Sequence, residues 1–445
     1  MSSVTQCPNE AHIHIPRPGA WLPNHPKKIW RWINERARSL KIKDTQSLLQ
    51  SVKDFKLHVL NDPTLYMLFT EMLLEVPDKY KTDPSGRPEI RDIDTLFTFL
   101  DYLLRNPPSW DPDPEHPSQP SPQIGTPINA VLDWPMGTKA GFAAFIRDDV
   151  NAHVKSMLQS WGDFLSTQYS RSTLTTDTGG WFSPTALATK HMHGFKETFI
   201  CNPNQPYWGF TSWDNFFTRD FRDIDKIRPV ADPHIASTVV SAAEATPFAQ
   251  QTDVKDYDTF WAKGQPYSLK HMLDHDSRAG LFIGGTVYQA FLSADSYHQW
   301  HMPVGGTILD YRLVDGAYYS EPLLEGFSPD TGNPDPDPGA DAASQGYISS
   351  VAARGIIWIQ ADEPVGLMGL VFIGMAEVSS IEVTAKIGAR LEKGEKLGKF
   401  HFGGSTHCMI FRPELDVTFH LPSDKNEQVL CRSKLATVTL KEGTN

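Results

Sequence analysis

The chain has 445 residues, a length that accommodates two domains or one domain with a large extension. Its composition, 40% hydrophobic and 21% charged, is that of an ordinary globular protein. The formal net charge of -12 argues against nucleic acid or an anionic membrane surface as an obligate partner.

The cysteines and the apolar runs indicate where such a chain resides. The four cysteines are scattered, form no C-x-x-C pair and are too few for a disulfide framework, so a reducing, cytoplasmic setting is predicted. Residues 1–19 lack the basic start and apolar core of a secretory signal. The longest apolar run, residues 365–376, is too short to span a bilayer as a helix and is predicted to be a buried strand.

After an N-terminal segment of residues 1–44, residues 45–200 are predicted to form a helical region. Four stretches repeat apolar residues at intervals of three and four, the spacing of one helix face. These stripes are Leu48, Val52, Phe55 and Val59; Leu65, Leu68, Phe69 and Met72; Leu96, Phe99, Leu100 and Leu103; and, in one helix from about Lys139 to Leu165, Phe142, Phe145, Ile146, Val154, Met157, Leu158 and Trp161. Amphipathic stripes are typical of core packing, which is preferred here over a cofactor-binding role.

Two stretches are predicted to be irregular. Repeated prolines forbid regular structure in residues 106–127, which are interpreted as a loop or linker. Residues 328–346 are rich in Asp, but their spacing does not fit a calcium-binding loop. A solvated insertion is the preferred interpretation of that second stretch.

From about residue 235 the pattern changes to short apolar runs separated by Gly, Pro and Asp turns. The runs cover residues 236–245, 284–294, 305–314, 355–362, 369–383 and 436–440. This pattern predicts a β-rich domain with a sandwich-like or barrel-like arrangement. The fold class is therefore expected to be α+β, with a helical N-terminal extension followed by a β-rich domain.

The stretch FHFGGSTHCMIF, residues 400–411, reads as strand, tight kink and strand. Two adjacent glycines permit backbone geometry that other residues rarely adopt, and Ser405 follows them directly. Its hydroxyl is either a turn cap or a nucleophile. It is not the nucleophile of a G-x-S-x-G elbow, because His407 stands at the second glycine position. No Lys follows the glycines as a P-loop requires.

Two histidine pairs are candidate sites. His191 and His193 form an H-x-H pair, and His298 and His301 lie three residues apart between aromatic residues. No carboxylate or cysteine completes an obvious metal-ligand set around either pair, so no metal site is predicted. The first pair is interpreted as exposed or hydrogen-bonded histidines. The second pair precedes a proline and two glycines, which suggests a shaped turn.

Residues 398–411, GKFHFGGSTHCMIF, resemble the self-cleavage segment of the phosphatidylserine decarboxylase family, whose members mature into pyruvoyl enzymes. Other segments resemble that family in the same order, and they are residues 213–230, 261–273, 296–308, 369–381 and 391–406. The resemblance implies a catalytic domain over residues 205–445. Residues 135–145 resemble the extension of a soluble fungal branch of the family, which includes aromatic amino-acid decarboxylases.

The resemblance implies that the chain makes its own cofactor. The Ser405 hydroxyl would attack the carbonyl of Gly404, an ester would replace the peptide bond, and elimination would split the chain between the two residues. A pyruvoyl group would remain at the start of an α chain, residues 405–445, and the β chain would end at Gly404. This group would form a Schiff base with the substrate amine and act as an electron sink, so pyridoxal phosphate is not expected.

The resemblance also assigns roles to three side chains. His301 corresponds to the base that takes the proton of Ser405, and His298 to the histidine that positions the substrate carboxylate and assists decarboxylation. The family usually orients its base with an Asp in an S-P-A-D-G segment, whereas SAAEA stands here at residues 241–245. Glu244 is the candidate substitute. The alternative for the two histidines is a pair of buried, hydrogen-bonded turn residues.

The substrate implied by the fungal branch is a free aromatic L-amino acid, with tryptophan first and phenylalanine or tyrosine next. The first alternative is a phosphatidylserine decarboxylase that makes phosphatidylethanolamine, although the sequence shows no membrane segment, anchor or basic stretch for lipid. The second is a non-catalytic relative that binds amines or a partner, which only the departure at residues 241–245 favours. A pyridoxal-phosphate decarboxylase has no support in any Lys-centred motif.

Overall fold

The computed structural model describes residues 22–23, 26–77, 89–110, 124–258, 267–322, 344–377 and 380–442. The stretches predicted to be irregular, 106–127 and 328–346, lie largely outside these residues. Each leads into a helix, which begins at Pro127 after the first and at Gln345 within the second. Residue 127 and residues 345–346 are therefore helical, and the prediction that they are irregular is wrong.

The helices of the described chain are concentrated in its first half, as predicted. They are α1 (Pro26–Ser39), α2 (Gln50–Asn61), α3 (Pro63–Met72), α4 (Ile93–Leu104), α5 (Pro127–Met136), α6 (Lys139–Phe145), α7 (Asp148–Leu165), α8 (Pro184–Leu187), α9 (Phe195–Thr198), α10 (Trp213–Phe217), α11 (Ile224–Ile227), α12 (Leu269–Met272) and α13 (Gln345–Val351). The sequence analysis did not predict α1 or α5.

Local chemistry explains where the early helices begin. The Asp62 side chain accepts hydrogen bonds from the backbone N–H groups of Thr64 and Leu65 and so caps α3. Pro63 occupies the first position of that helix, where a missing N–H costs nothing. Asp92 caps α4 in the same way.

The single helix predicted over residues 139–165 is wrong, because α6 and α7 are separate. Arg147 between them has an extended backbone, with φ of -77° and ψ of 134°. The side-chain amide of Asn151 donates hydrogen bonds to the carbonyl oxygens of Phe145 (2.7 Å) and Arg147 (2.9 Å). The first bond satisfies the Phe145 carbonyl at the end of α6. The second adds to the bond that the Arg147 carbonyl already accepts from the backbone N–H of Asn151.

The second half is built on antiparallel strands, which confirms the α+β class. The strands are β1 (Thr238–Val240), β2 (Thr246–Thr252), β3 (Thr286–Leu292), β4 (Gln299–His301), β5 (Gly306–Val314), β6 (Arg354–Ala361), β7 (Leu367–Met375), β8 (Ile381–Val383), β9 (Arg390–Leu391), β10 (Lys396–Phe400), β11 (Gly404–Phe411), β12 (Leu415–Phe419) and β13 (Lys434–Leu440). A seven-stranded sheet has the order β2-β3-β11-β7-β6-β5-β9. Two three-stranded sheets have the orders β1-β13-β12 and β4-β10-β8.

Strand β11 lies inside the seven-stranded sheet, between β3 and β7, and all eight of its residues are buried. Its side chains alternate between two apolar clusters, one on each face of the sheet. Met409 and Phe411 belong to the first cluster, and Cys408 and Ile410 to the second. A segment paired and covered on both sides in this way is held rigidly.

The helical and β-rich regions share part of their core. The apolar cluster of the N-terminal helices also contains Tyr297 and Phe402, which flank β4 and β11. The boundary predicted between residues 200 and 205 remains a prediction. Within the described ranges, no helix combines the length and apolar character needed to cross a membrane.

Candidate active site

The segment 400–411 turns from β10 into β11 at Gly403, as the strand-kink-strand pattern predicts. Gly403 has a φ of 138°, a conformation that residues with a side chain rarely adopt. Gly404 begins β11 and pairs with Met375 of β7. A Cβ atom on Gly404 would lie 3.3 Å from the carbonyl oxygen of Met375, which is a tight contact. Gly403 is therefore favoured by its backbone conformation, and Gly404 by the limited space beside Met375.

Ser405 is completely buried between Leu292 of β3 and Gly374 of β7. Its Oγ has no hydrogen-bond partner among the residues that the structure describes. The hydroxyl of Thr406, in contrast, donates to the carbonyl oxygen of Ala290 at 2.9 Å. Burying a hydroxyl without a partner costs about 1–3 kcal/mol, and such a group in a native fold calls for an explanation. Ser405 is therefore the hydroxyl of this pair that is available for chemistry.

The His301 ring is buried and held by two hydrogen bonds. Its Nδ1 lies 2.9 Å from the carbonyl oxygen of Gly394, an acceptor, so Nδ1 carries the proton. Its Nε2 then accepts from the hydroxyl of Tyr297 at 3.0 Å. Burial, aided by the positive charges of Arg432 and Lys396, lowers the pKa of His301 to about 4. The ring is neutral near pH 7, with Nε2 as its basic nitrogen.

The His298 ring is also buried and stacks on Phe217, with ring centroids 3.9 Å apart. Burial, and the nearby Arg219 guanidinium, hold the pKa of His298 well below its usual range. Its carbonyl oxygen accepts a hydrogen bond from the N–H of Phe400 at 3.0 Å. This bond attaches His298 to β10, the strand that leads into the Gly403 turn.

Glu244 is buried, and its hydrogen bonds do not go to the His301 ring in the described part of the chain. Its carboxylate accepts from Arg228 at 2.5 Å, and the thiol of Cys431 lies 3.9 Å away. The link to His301 is through the backbone, since the N–H of His301 donates to the carbonyl of Ala242 at 2.8 Å. The group that fixes the His301 tautomer is the Gly394 carbonyl.

Strand β4, which directly follows His298 and ends at His301, lies over the face of the central sheet that carries Ser405. Trp300 of β4 stacks on Phe372 of β7, with ring centroids 3.8 Å apart. Phe372 is directly opposite His407 of β11, so it shares a face with His407 and Ser405. The pairing of β4 with β10 and the contact of Trp300 with Phe372 thus bring β4 close to β7, although the two strands are far apart in the sequence.

His407 is a candidate functional residue that the sequence analysis missed. It is fully buried, and neither ring nitrogen has a hydrogen-bond partner among the described residues. Its ring lies 6.0 Å from Phe372 and 6.2 Å from Tyr288, and burial lowers the pKa of His407 to about 4. The available signal was its position two residues after Ser405, because alternate strand residues share a face.

In the other histidine pair, one ring has a partner of its own. His191 binds the carboxylate of Asp295 at 2.8 Å, and this partner raises the pKa of His191 despite its burial. His193 is exposed. The described residues contain no group of three or more His, Cys, Asp or Glu side chains arranged to hold a metal ion.

Family comparisons agree with this architecture. Two family models, both described as phosphatidylserine decarboxylase, match residues 49–190 and 213–436. An L-tryptophan decarboxylase of Psilocybe cubensis is 35% identical over 395 residues, which cover 85% of this chain and 84% of that protein. An L-tryptophan decarboxylase of Psilocybe cyanescens is 34% identical over 92% of this chain and 91% of its own length. Decarboxylase iboD of Amanita muscaria is 38% identical over 76% of this chain and 99% of its own length.

The helical region, the β-rich domain and these relatives together define an enzyme of the carboxy-lyase class, a decarboxylase. The chain belongs to the phosphatidylserine decarboxylase family. Its similarity to fungal L-tryptophan decarboxylases extends over the helical region as well as the β-rich domain, which confirms the family predicted from the sequence.

Proposed function

We propose that this chain converts a free aromatic L-amino acid, with tryptophan as the first candidate, to its amine and carbon dioxide. The reaction uses a pyruvoyl group derived from Ser405. The observation that carries the proposal is the Ser405 hydroxyl, which is buried without a described partner directly after Gly403 and Gly404. The names of the two Psilocybe relatives support the substrate.

Self-cleavage begins when Ser405 Oγ attacks the carbonyl carbon of Gly404. The acyl group moves from nitrogen to oxygen, which exchanges the peptide bond for an ester. Loss of the Ser405 Cα proton and rupture of its Cβ–O bond release the Gly404 carboxylate and leave dehydroalanine. Water then displaces the nitrogen as ammonia, and a pyruvoyl group remains. Ser405 Oγ has no hydrogen bond to a described residue that would have to break before the attack. This supports the proposal that the pyruvoyl group forms at this site.

His301 is the proposed base for the Ser405 proton. The Gly394 carbonyl holds the Nδ1 proton, so the lone pair for a second proton is on Nε2. The lowered pKa keeps this nitrogen unprotonated near pH 7. The Tyr297 hydroxyl, which contacts Nε2, either moves away or passes the proton on.

Glu244 is proposed as a positioning residue that acts on His301 through the backbone. Its ion pair with Arg228 anchors the segment whose Ala242 carbonyl receives the His301 N–H. Glu244→Ala is expected to slow self-cleavage, and Glu244→Asp is expected to restore part of the rate because it keeps the carboxylate. Equal cleavage rates in Glu244→Ala and the parent chain would remove Glu244 from the mechanism.

Decarboxylation requires a group that binds the substrate amine and accepts electrons as carbon dioxide leaves, and the pyruvoyl carbonyl supplies that chemistry. His298 is proposed to orient the substrate carboxylate. Its stacking on Phe217 fixes the plane of the ring, and its lowered pKa keeps the ring neutral.

The remaining partners follow from this reaction. The substrate is a small molecule, and the α and β chains of the cleaved protein remain partners of each other because β11 is paired on both sides. A cytoplasmic location is proposed as well. It is supported by Cys201, Cys408 and Cys431, which are free thiols.

Phosphatidylserine decarboxylation to phosphatidylethanolamine is the second candidate function, because both family models carry that description. The relatives that align over most of both chains are instead named for tryptophan or simply as a decarboxylase. The free amino acid is therefore preferred. A non-catalytic binding protein is the third candidate, and it predicts an intact chain.

The first experiment is the mass of the purified protein under denaturing conditions, with Ser405→Ala as the control. We expect two chains that divide between Gly404 and Ser405, with the smaller one lighter than its sequence by one ammonia. The Ser405→Ala variant is expected to remain one chain. A single chain of full mass in the parent protein would contradict self-cleavage and favour the binding protein.

A substrate panel on the cleaved protein then separates the two enzyme functions. Tryptophan, phenylalanine and tyrosine are supplied in solution, and phosphatidylserine in vesicles, while amine product and carbon dioxide are measured. Release of tryptamine is the expected result. Release of phosphatidylethanolamine, with no amine from any aromatic amino acid, would overturn the proposed substrate.

A further inference from the structure

A cavity of about 170 Å³ lies between the second half of α7 and the turn that precedes Ser405. Its volume is more than ten times the roughly 10–15 Å³ that one water needs. Leu158, Trp161 and Leu165 of α7 form one wall, and Phe402 and Glu377 form part of another. Polar residues form much of the remaining lining, and they are Gln159, Asp163, Ser166, Asp214, Ser380 and His401.

Glu377 is a buried residue at the wall of this cavity. Its Oε1 accepts hydrogen bonds from the backbone N–H groups of Ile128 (2.6 Å) and Asn129 (2.9 Å), at the start of α5. The residue is 2% exposed, and its Oε2 has no hydrogen-bond partner among the described residues. A buried oxygen of this kind is unfavourable unless a ligand or solvent donates to it.

Sheet register relates the cavity to the proposed cleavage site. Gly404 pairs with Met375 in the antiparallel ladder of β11 and β7. Phe402 and Glu377 each lie two residues from this pair, and both line the cavity. Ser405 is three residues from Phe402, a span of about 10 Å in extended chain. An aromatic amino acid whose amine reaches residue 405 can therefore extend its ring toward the cavity.

We propose that this cavity binds the aromatic ring of the substrate and that Glu377 Oε2 accepts a hydrogen bond from the ring N–H of tryptophan. This inference rests on the proposed function and names its specificity-determining residue. The ring of Phe402 meets Trp161 edge-on, with centroids 5.0 Å apart, which gives the cavity an aromatic wall. A buried indole needs such a wall and one acceptor for its N–H.

The opposite orientation, with the substrate ammonium in the cavity, fits less well. The amine has to reach the group formed at residue 405, whereas Glu377 lies beyond the end of the β7–β11 ladder. Asp163 and Asp214 also line the cavity, and they would repel the substrate carboxylate if that end entered it. The uncharged ring is the part of the molecule that the apolar side of the cavity, formed by Leu158, Trp161 and Phe402, can contact.

The test compares L-tryptophan with 3-benzothienyl-L-alanine, an analogue of nearly the same shape in which sulfur replaces the ring N–H. We measure kcat/KM for both with the cleaved parent protein, Glu377→Gln and the exposed control Glu427→Gln. At pH 9 the parent and the control are expected to prefer tryptophan by about tenfold or more. Glu377→Gln keeps an acceptor for α5 but presents an amide N–H₂ to the cavity, so the preference is expected to fall to about one.

An unchanged preference in Glu377→Gln would overturn the inference, and so would equal losses for both substrates, which indicate a structural role only. Tyrosine is included to distinguish the donor, since a preference for tyrosine that is lost in Glu377→Gln would assign the cavity to a phenol O–H and overturn the indole assignment. Phenylalanine, which has no ring donor, is expected to be insensitive to the substitution.

Binding to the Ser405→Ala variant tests the cavity without any catalysis. Calorimetric titration with tryptamine and with its benzothienyl analogue is expected to show tighter binding of tryptamine, and Glu377→Gln in the same background is expected to remove the difference. If the parent chain neither cleaves nor decarboxylates but this difference is present, the proposed function fails and the binding site stands. If both amines bind equally well or neither binds, the assignment of the cavity is overturned.

Discussion

At the scale of single residues, the proposed cleavage is expected to depend on the conformation of Gly403. Its φ of 138° sets how β10 delivers Gly404 and Ser405 to β11. Gly403→Ala is expected to destabilise the fold by about 1–3 kcal/mol, because the new Cβ strains this conformation. Since a misdirected Gly404 carbonyl is a poor target, cleavage is expected to slow at least about tenfold.

The matched control for Gly403→Ala is Gly280→Ala, because a Cβ at Gly280 has no neighbouring atom within 4 Å. The fraction of split chain is followed by gel electrophoresis after cell-free synthesis. Gly280→Ala is expected to cleave at the parent rate. Normal cleavage in Gly403→Ala would show that the turn conformation is not required.

A second residue-scale prediction concerns the charge of Glu377. Burial raises the pKa of Glu377 to about 8, against the effect of the α5 N–H groups, so the accepting carboxylate form grows as the pH rises. The preference for tryptophan over 3-benzothienyl-L-alanine is expected to increase severalfold between pH 7 and pH 9. Both substrates share the same titrating amine, so the ratio of their kcat/KM values isolates the protein group.

Other titratable groups around Glu377 also affect the ratio of kcat/KM values. They are Asp163, Asp214 and His401 in the cavity wall, and Tyr319, which interacts with Glu377. Burial, with the Glu377 charge contributing, holds the pKa of Tyr319 well above its usual range. The ratio is measured at half-unit intervals of pH in the parent and in Glu377→Gln. A profile that remains flat in the parent, or rises equally in Glu377→Gln, would assign the effect to another group.

These residues also indicate how much of the site the sequence contains. Ser405 and the His298–His301 pair stand in recognisable segments, because their chemistry constrains side-chain types. The Gly394 carbonyl that fixes His301 has no sequence signal, since every residue carries a carbonyl. Glu377 becomes a candidate only when tertiary structure brings it to α5, 249 positions away from Ile128.

At the scale of elements, the break between α6 and α7 depends on one side chain. The amide of Asn151 donates to the carbonyls of Phe145 and Arg147, and its oxygen accepts from the N–H of Tyr318 at 3.1 Å. Asn151→Ala is expected to lower the free energy of unfolding by about 1–3 kcal/mol, because the partly buried Phe145 carbonyl and Tyr318 N–H lose their side-chain partner. Thermal and urea unfolding of the Ser405→Ala background measure this change while the chain stays intact.

The control for that element is Asn34→Ala in α1. Asn34 makes a single solvent-exposed bond to the Trp30 carbonyl, so its loss is expected to change stability by about 0.5 kcal/mol or less. If Asn151→Ala is as stable as Asn34→Ala, the Asn151 side chain does not stabilise the interruption between α6 and α7.

The same break shows why element boundaries are the least predictable feature. Apolar residues keep a helical interval through Phe142, Phe145 and Ile146, so periodicity alone predicts continuation. The interruption comes from Asn151, whose bonds form only when the two helices are already oriented. The longer strands β3, β5, β6, β7, β11 and β13 were predicted because glycines and prolines separate them in the sequence. Strands β2, β4, β9 and β12 lie outside the predicted runs. Helix α5 was missed because it follows a Pro-rich stretch and is buried on all sides.

At the scale of the whole molecule, the proposed site lies where the helical and β-rich regions meet. The cavity takes one wall from α7 and another from the segment that leads into β11. Trp161 of α7 and Phe402 belong to one apolar cluster, so the helical region helps to form the site as well as to cover it. This arrangement gives a physical reason for the similarity to the tryptophan decarboxylases to extend through the helices.

Buried histidines make the stability of the whole chain depend on pH. The pKa values of His298, His301 and His407 are all lowered, chiefly by burial, from an ordinary value of 6.5. Below pH 6.5 the unfolded chain therefore binds protons that the folded chain does not, and stability falls as the pH falls. Each histidine contributes up to about 1.4 kcal/mol per pH unit. Glu377 acts in the opposite direction, since its stabilising contribution is lost as the pH rises from 4.5 to about 8. Burial also lowers the pKa values of His153 and His271, which add to the effect of the three histidines.

The melting temperature of the Ser405→Ala chain is accordingly expected to fall steadily between pH 6.5 and pH 4.5. His407→Leu in that background removes one of the three groups, and it also removes ring nitrogens that have no hydrogen-bond partner among the described residues. The slope of unfolding free energy against pH is expected to decrease by about 1 kcal/mol per pH unit, with little loss of stability at pH 7. His193→Leu, at an exposed histidine, is expected to leave the slope unchanged. An identical slope in His407→Leu and the background would mean that His407 is accessible to protons in the folded chain, which its complete burial in β11 argues against.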